Sequence, residues 1–439
     1  MTVQSSCKTF RPAAWLALAC LVVPMFASYY FDDMFSSISY IFESASLTAL
    51  GWDAAGYGLY ASGYSVLCVF GGLVVGGILL DRWGVRVTGS LFVGMMVAGA
   101  GLVLYSLLRG GSASLGLAYF GCMLFGLGSE IAGTAVTRSI ARWFKGGPMA
   151  LAMGLELAIA RLGTAFALVM SPRLIRGASE PLGLGVTARP ALLGMGLMAL
   201  GLILWAVFVA MDAKAFGSGA KQGVAAIESE KFRFKDVLGV LGNRNFWLLG
   251  LLCVLFYSSV VAFKKFAGAI LVPRFGIPAE AAGWMVSMLP FSTVIFAPLF
   301  GMLVDKRGKG TRWMVLGSVL ALVAHLLLAF GPEGVPFWGY LAMAFLGFGY
   351  SLVPAALWPS VPKIVPDKVL GTTYALIYWV QNLGLLSFKW LAGIILGKGS
   401  VVSVELMFCA LCVASVAVAL VFRSTARRNP SLGLDAPNS

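Results

Sequence analysis

Charge is scarce in this chain: Asp, Glu, Lys and Arg together make 11% of 439 residues, and acids supply only 18 of them. A single histidine excludes a metal centre built from imidazoles. The seven cysteines (7, 20, 68, 122, 253, 409 and 412) fall almost wholly inside apolar runs, and no CxxC is matched by a second. They read as small packing side chains, not as ligands. No Gly-rich loop ends in Lys-Ser or Lys-Thr, so direct ATP hydrolysis is excluded and no cofactor is implied. No nucleophile and base fall into a set that argues for an enzyme. The Asn-X-Ser/Thr pattern occurs only as the Pro-blocked Asn429-Pro-Ser.

What fills the chain instead is apolar. Hydrophobic residues make 59% of it, and the mean hydropathy is +0.90. A soluble body of this length cannot hide that much apolar side chain, because surface grows too fast with size. The lipid bilayer is the partner that fits. The net charge of +14 raises a nucleic-acid reading, but the bases gather in short loops with no aromatic-basic interleaving, so no nucleic-acid partner is expected. Lys8 and Arg11 ahead of an apolar run resemble a signal peptide. The run continues to about Phe31, too long for a signal core, and is read as the first membrane helix.

Windows of about 19 apolar residues give twelve spans: 14–36, 54–80, 88–108, 113–140, 148–171, 190–212, 243–269, 277–304, 311–330, 336–362, 369–394 and 401–422. The fold class expected is an all-α integral membrane protein of two pseudo-symmetric six-helix bundles. The longest polar interruption divides it into an N-terminal bundle 1–212, a cytoplasmic linker 213–242 and a C-terminal bundle 243–439. With the N-terminus cytoplasmic, about 22 Lys/Arg lie inside and about 6 outside. Both termini are therefore expected in the cytoplasm, in a cell (inner) membrane of prokaryotic type. A monomer is expected.

The halves echo each other. Gly77-Ile-Leu-Leu-Asp81-Arg82-Trp-Gly84-Val-Arg86 closes helix two, and Gly301-Met-Leu-Val-Asp305-Lys306-Arg-Gly308-Lys309 closes helix eight. Gly126-Leu-Gly128 in helix four is matched by Gly347-Phe-Gly349 in helix ten. Asp81, Arg82, Gly84, Arg86, Asp305 and Lys306 are read as gating residues. The glycine lets helices two and eleven approach, the Asp faces a helix N-terminus, and the bases reach carboxylates. Gly71-Gly72 and Gly76-Gly77 read as further packing surfaces. Six-helix repeats suit a carrier whose halves rock about a central site. This paired turn resembles the signature of the major facilitator superfamily.

Between Gly121 and Met170, two apolar segments flank the basic turn Arg142-Trp-Phe-Lys145. Glu130 and Arg161 each lie about 12 to 13 residues in from it, or about 18 to 20 Å along a helix. That is mid-bilayer depth, where a lone charge costs at least a few kcal/mol. The two are expected to pair with each other when empty, or to line a wet cavity.

A closer resemblance covers most of the chain. Trp143-Phe-Lys-Gly146, Gly154-Leu-Glu-Leu-Ala-Ile-Ala-Arg161-Leu-Gly163, Leu357-Trp358-Pro359, Val365-Pro366 with Leu370-Gly371-Thr372, and Gln381-Asn382-Leu-Gly384 are similar to the lysosomal dipeptide transporters of that superfamily. The resemblance implies uniport of dipeptides by alternating access. It also implies a substrate role for Glu130, Arg161 and Asp33. The chemistry agrees: a zwitterion needs a fixed cation, Arg161, for its carboxylate and a fixed anion, Glu130 or Asp33, for its ammonium. Trp358 offers an apolar wall and Asn382 an amide for the peptide bond. Tyr378, Trp379 and Gln381 read as packing or interface side chains.

Glu156 departs from the family pattern and is read as a candidate proton site or a gate pair with Arg138. Lys264, Lys265 and Lys389 are bases the pattern lacks, and if they face the cavity an acidic substrate follows. Lys265 is the one taken as substrate-binding. His325 reads as a buried packing residue. Two rival functions stay open: a proton-coupled carrier of organic anions using Arg161 and Lys265, and a non-transporting receptor or scaffold on a carrier fold.

Overall fold

The computed structural model describes residues 12–145, 147–217, 234–366, 369–399 and 401–436. The core of the expected linker, 218–233, lies outside them. Among the described residues all regular structure is helical, and a lone bridge joins Thr48 to Leu182. That outcome follows from the composition, since a chain immersed in lipid must satisfy its backbone within each segment.

Among the described residues, eleven stretches are long and apolar enough to cross a membrane. One of them, Ala54–Arg109, has 56 residues and would measure about 84 Å if straight, nearly three times a bilayer's apolar core. It contains two crossings. At Gly84 the backbone turns to φ 73°, ψ 175°, a region where a side chain would clash and glycine does not. The Thr88 hydroxyl then donates to the Leu79 carbonyl at 2.8 Å, although nine residues of continuous helix would hold them about 13 Å apart. The chain therefore doubles back, giving twelve spans.

In order, span one is Pro12–Phe42, spans two and three share Ala54–Arg109, and spans four to six include Ser114–Trp143, Met149–Ile175 and Arg189–Phe216. Spans seven to nine are Arg244–Lys265, prolonged by Ala267–Phe275, then Ala279–Arg307 and Gly310–Phe330. Spans ten to twelve are Pro336–Ile364, Leu370–Gly397 and Val401–Arg428. Span three packs on four as nine packs on ten. Across the seam, span two packs on eleven as eight packs on five. Large apolar side chains such as Phe70, Ile203 and Phe330 stay exposed, which is stable only against lipid.

The two membrane faces are named by the ends of the first helix, Pro12 and Asp33. Spans two and eleven touch near the Asp33 face: a Cβ on Gly58 would sit 2.8 Å from the Gly393 Cα. The signature glycine Gly77, expected to make this approach, does not, since a Cβ there would meet nothing within 4 Å. Gly301 is equally open. Gly72 and Gly76 instead accommodate Leu127 and Ile131 of span four. Gly58→Leu, pressing on backbone that cannot move aside, is expected to cost about 1–3 kcal/mol. Thermal unfolding in detergent measures this, and an unchanged midpoint contradicts the packing.

On the Pro12 face, each half is latched by an acid, carried on the last span of the first half and on the segment after the last span of the second. Arg86 reaches Asp212 at 2.6 Å, and Arg142 meets the same carboxylate at 3.4 Å. Asp81 binds Arg138 of span four at 2.6 Å, and so does not serve a helix N-terminus. In the second half Asp435 takes the Thr311 N–H and hydroxyl at 3.0 and 2.8 Å. Lys363 donates to the Gly433 carbonyl at 3.0 Å. Arg82, Asp305 and Lys306 are exposed.

Candidate substrate site

Span four delivers Glu130 and span five delivers Arg161, but the two are not paired with each other. This corrects the expectation for the empty carrier, and the reason is that each has found a phenol. Tyr64 of span two donates to Glu130 Oε1 at 3.0 Å, and its hydroxyl also lies 3.3 Å from Ser129 Oγ. Arg161 Nη1 donates to the Tyr350 hydroxyl at 3.2 Å. The same guanidinium lies 5.6 Å from the ring centroids of both Tyr29 and Tyr350, where aromatic faces attract a cation. Glu130 and Arg161 are both only partly buried. The electrostatic neighbours of Tyr29, on span one, are Arg161, Glu130, Glu156 and Tyr350.

From Tyr350 an aromatic shelf runs through the second half. The Tyr257 ring meets Tyr350 edge-on at 6.1 Å, and Trp358 Nε1 donates to the Tyr257 hydroxyl at 3.1 Å. Trp358 in turn stacks on Tyr378 at 5.0 Å. Trp358 thus lies one tyrosine pair away from Arg161. Asn382 is buried, and its Nδ2 is spent on the Tyr378 carbonyl at 3.1 Å. Its Oδ1 is buried without a partner, which leaves an acceptor for a peptide N–H.

Asp33 and Lys265 belong to a different structure from the one expected of them. Lys264 and Lys265 end the helix of span seven, and both ammonium groups turn onto Asp33, at 2.6 and 3.1 Å. Lys265 also pairs with Asp32 at 2.8 Å, and Thr164 of span five donates to Asp33 at 2.8 Å. Tyr57 of span two closes the group by donating to the Lys265 carbonyl at 3.0 Å. Asp33 and Lys265 are each 1% exposed. Two acids and two bases therefore neutralise each other across the seam between the halves, and neither Asp33 nor Lys265 is free for a substrate terminus.

Other readings also shift. Arg138 is taken by Asp81, so it does not pair with Glu156, whose neighbouring cation is Arg161 on the same helix. Lys389 is 2% exposed, with its ammonium 5.2 Å from the ring centroid of Tyr64. His325 is buried as expected, but it bonds Glu405 Oε2 through Nδ1 at 2.8 Å. Glu405 escaped the sequence reading, as did Tyr64, Tyr257 and Tyr350. An acid near the start of the last span was a visible signal for Glu405. The tyrosines had none, since aromatic residues in membrane helices are mostly anchors or packing.

A family model described as Major Facilitator Superfamily matches residues 21–384 and 265–437. The human lysosomal dipeptide transporter MFSD1 is 31% identical over 359 residues, covering 81% of this chain and 74% of the human protein. Its zebrafish (Danio rerio) counterpart is 30% identical over 425 residues, covering 94% and 87%. Among solved structures, the inward-open xylose transporter XylE from E. coli superposes with a TM-score of 0.68 at 14% identity, covering 93% of this chain and 95% of its own. The nucleoside transporter NupG gives 0.67 at 14% identity, covering 94% and 99%.

Proposed function

This chain belongs to the major facilitator superfamily, and we propose that it moves dipeptides by alternating access, as a uniporter. The family makes it a multi-pass secondary transporter and not an enzyme. The reading for dipeptides rests on one observation: Glu130 and Arg161 each hold a neutral phenol in place of the other. A phenol is a cheap placeholder. It satisfies the charge through a hydrogen bond and yields to a stronger, charge-assisted one. The substrate carboxylate takes Arg161 and its ammonium takes Glu130, while the Trp358 shelf receives a side chain and Asn382 Oδ1 a peptide N–H.

Bundles 1–212 and 243–439, joined by 213–242, are the rocking bodies in this reading. Ties between the halves near the Asp33 face support it. They include the Asp33 ion cluster, the Gly58–Gly393 contact and the Arg176–Glu280 pair at 3.3 Å. The Pro12 face is the cytoplasmic one by the distribution of Lys and Arg. The carrier sits as a monomer in a cell membrane.

Counterflow of labelled dialanine into proteoliposomes tests the assignment. Exchange is expected with and without a pH gradient. Exchange that needs the gradient removes uniport, and no exchange at all removes dipeptides.

A further inference from the structure

Of the three lysines buried inside the membrane-spanning body, two are neutralised. Lys264 and Lys265 share Asp32 and Asp33. Lys389 does not. It is as deeply enclosed, at 2% exposure, yet among the described residues no carboxylate forms an ion pair with it. Its contact is the face of Tyr64 at 5.2 Å. The attraction of a cation to a ring face is smaller than the cost of holding an ammonium away from water. The fold therefore keeps an ammonium group with no carboxylate within ion-pair distance beside its substrate site, Asp32 being the opposite charge that acts on it most.

Its position there is specific. Tyr64 carries Lys389 on its ring and Glu130 on its hydroxyl. Tyr29 has both Glu130 and Arg161 as electrostatic neighbours, with the guanidinium 5.6 Å from its ring. Tyr64 thus links Lys389 to Glu130, and Tyr29 links Glu130 to Arg161, in the sequence positive, negative, positive. A dipeptide complementary to that order reads negative, positive, negative. The α-carboxylate comes first, then the N-terminal ammonium, then a carboxylate on the side chain of the N-terminal residue. Asp or Glu in first position places its two charges on one residue in that sequence, while the same residue in second position does not.

We propose that Lys389 makes this carrier selective for dipeptides whose first residue is acidic. The proposal rests on the dipeptide reading above and names the substrate class within it. Sequence alone offered three lysines for such a role, and the geometry leaves one.

The test is competition against labelled dialanine counterflow by unlabelled Glu-Ala, Ala-Glu and Lys-Ala, in the unmodified carrier, K389M and K389R. In the unmodified protein Glu-Ala is expected to compete about 10-fold or more better than Lys-Ala, and better than Ala-Glu, because pairing a buried charge is worth at least that factor. K389M should lose the preference while still exchanging dialanine, and K389R should keep it. A preference that survives in K389M, or none in the unmodified carrier, overturns the proposal and leaves the dipeptide reading intact. Loss of dialanine exchange in both variants also overturns it, because Lys389 is then structural. If dialanine never exchanges in the unmodified protein, the dipeptide reading itself has failed.

Discussion

Arg161→Ala is expected to abolish dipeptide exchange while the protein still inserts and folds. Removing one partner of a buried, hydrogen-bonded charge pair costs about 2–5 kcal/mol, or roughly 30- to several-thousand-fold in affinity. The protein side is less affected, because Arg161 is held by the Tyr350 hydroxyl and two ring faces and by no carboxylate. Removing it breaks no ion pair to a carboxylate, although Glu156 loses its neighbouring cation. Arg161→Lys is expected to fall between, since an ammonium keeps the charge but loses the planar fork that grips a carboxylate. Counterflow, read beside a size-exclusion profile, separates loss of binding from loss of fold. Unimpaired exchange in the alanine variant removes Arg161 from the site.

The second large effect concerns stability. Asp33→Ala leaves Lys264 buried with no acid and Lys265 with Asp32 alone. Breaking a buried pair from one side costs about 3–5 kcal/mol. Replacing both members with apolar groups is often close to neutral, so Asp33→Leu combined with Lys264→Met should recover most of the loss. Thermal unfolding of the two variants in detergent reads this directly. If the single variant melts with the parent, the cluster does not hold the seam. If the double variant is no better than the single, the cost came from packing.

The twelve crossings and the repeated turn were legible in the sequence because lipid leaves a chain few options. Apolar runs of fixed length, and glycines that must reverse the path, are written one residue at a time. The charges at Glu130 and Arg161 were legible for the same reason, as ions stand out in an apolar run. Their partners were not. Tyr64 and Tyr350 look like any membrane tyrosine, and the distances that give them a role span 66 and 189 residues. The union of Asp33 with Lys265 bridges 232 residues and two bundles, so each residue was read as facing a substrate when it faces the other. The close approach of spans two and eleven was assigned to Gly77 because that glycine sits in a motif. The actual contact at Gly58 carries no motif, only a missing side chain opposite another.

The cluster at the seam has a further consequence. Two carboxylates and two ammonium groups sum to zero at one depth. A membrane voltage does work of about 2.3 kcal/mol on each elementary charge carried through 100 mV, but none on charges that part sideways. Breaking this bond network is therefore electrically silent. A solute whose own charges cancel adds nothing to that balance, so in a uniporter the direction of its net flux would follow concentration alone. An acidic passenger, carrying one negative charge in excess, would feel the field, and only at the step where it moves.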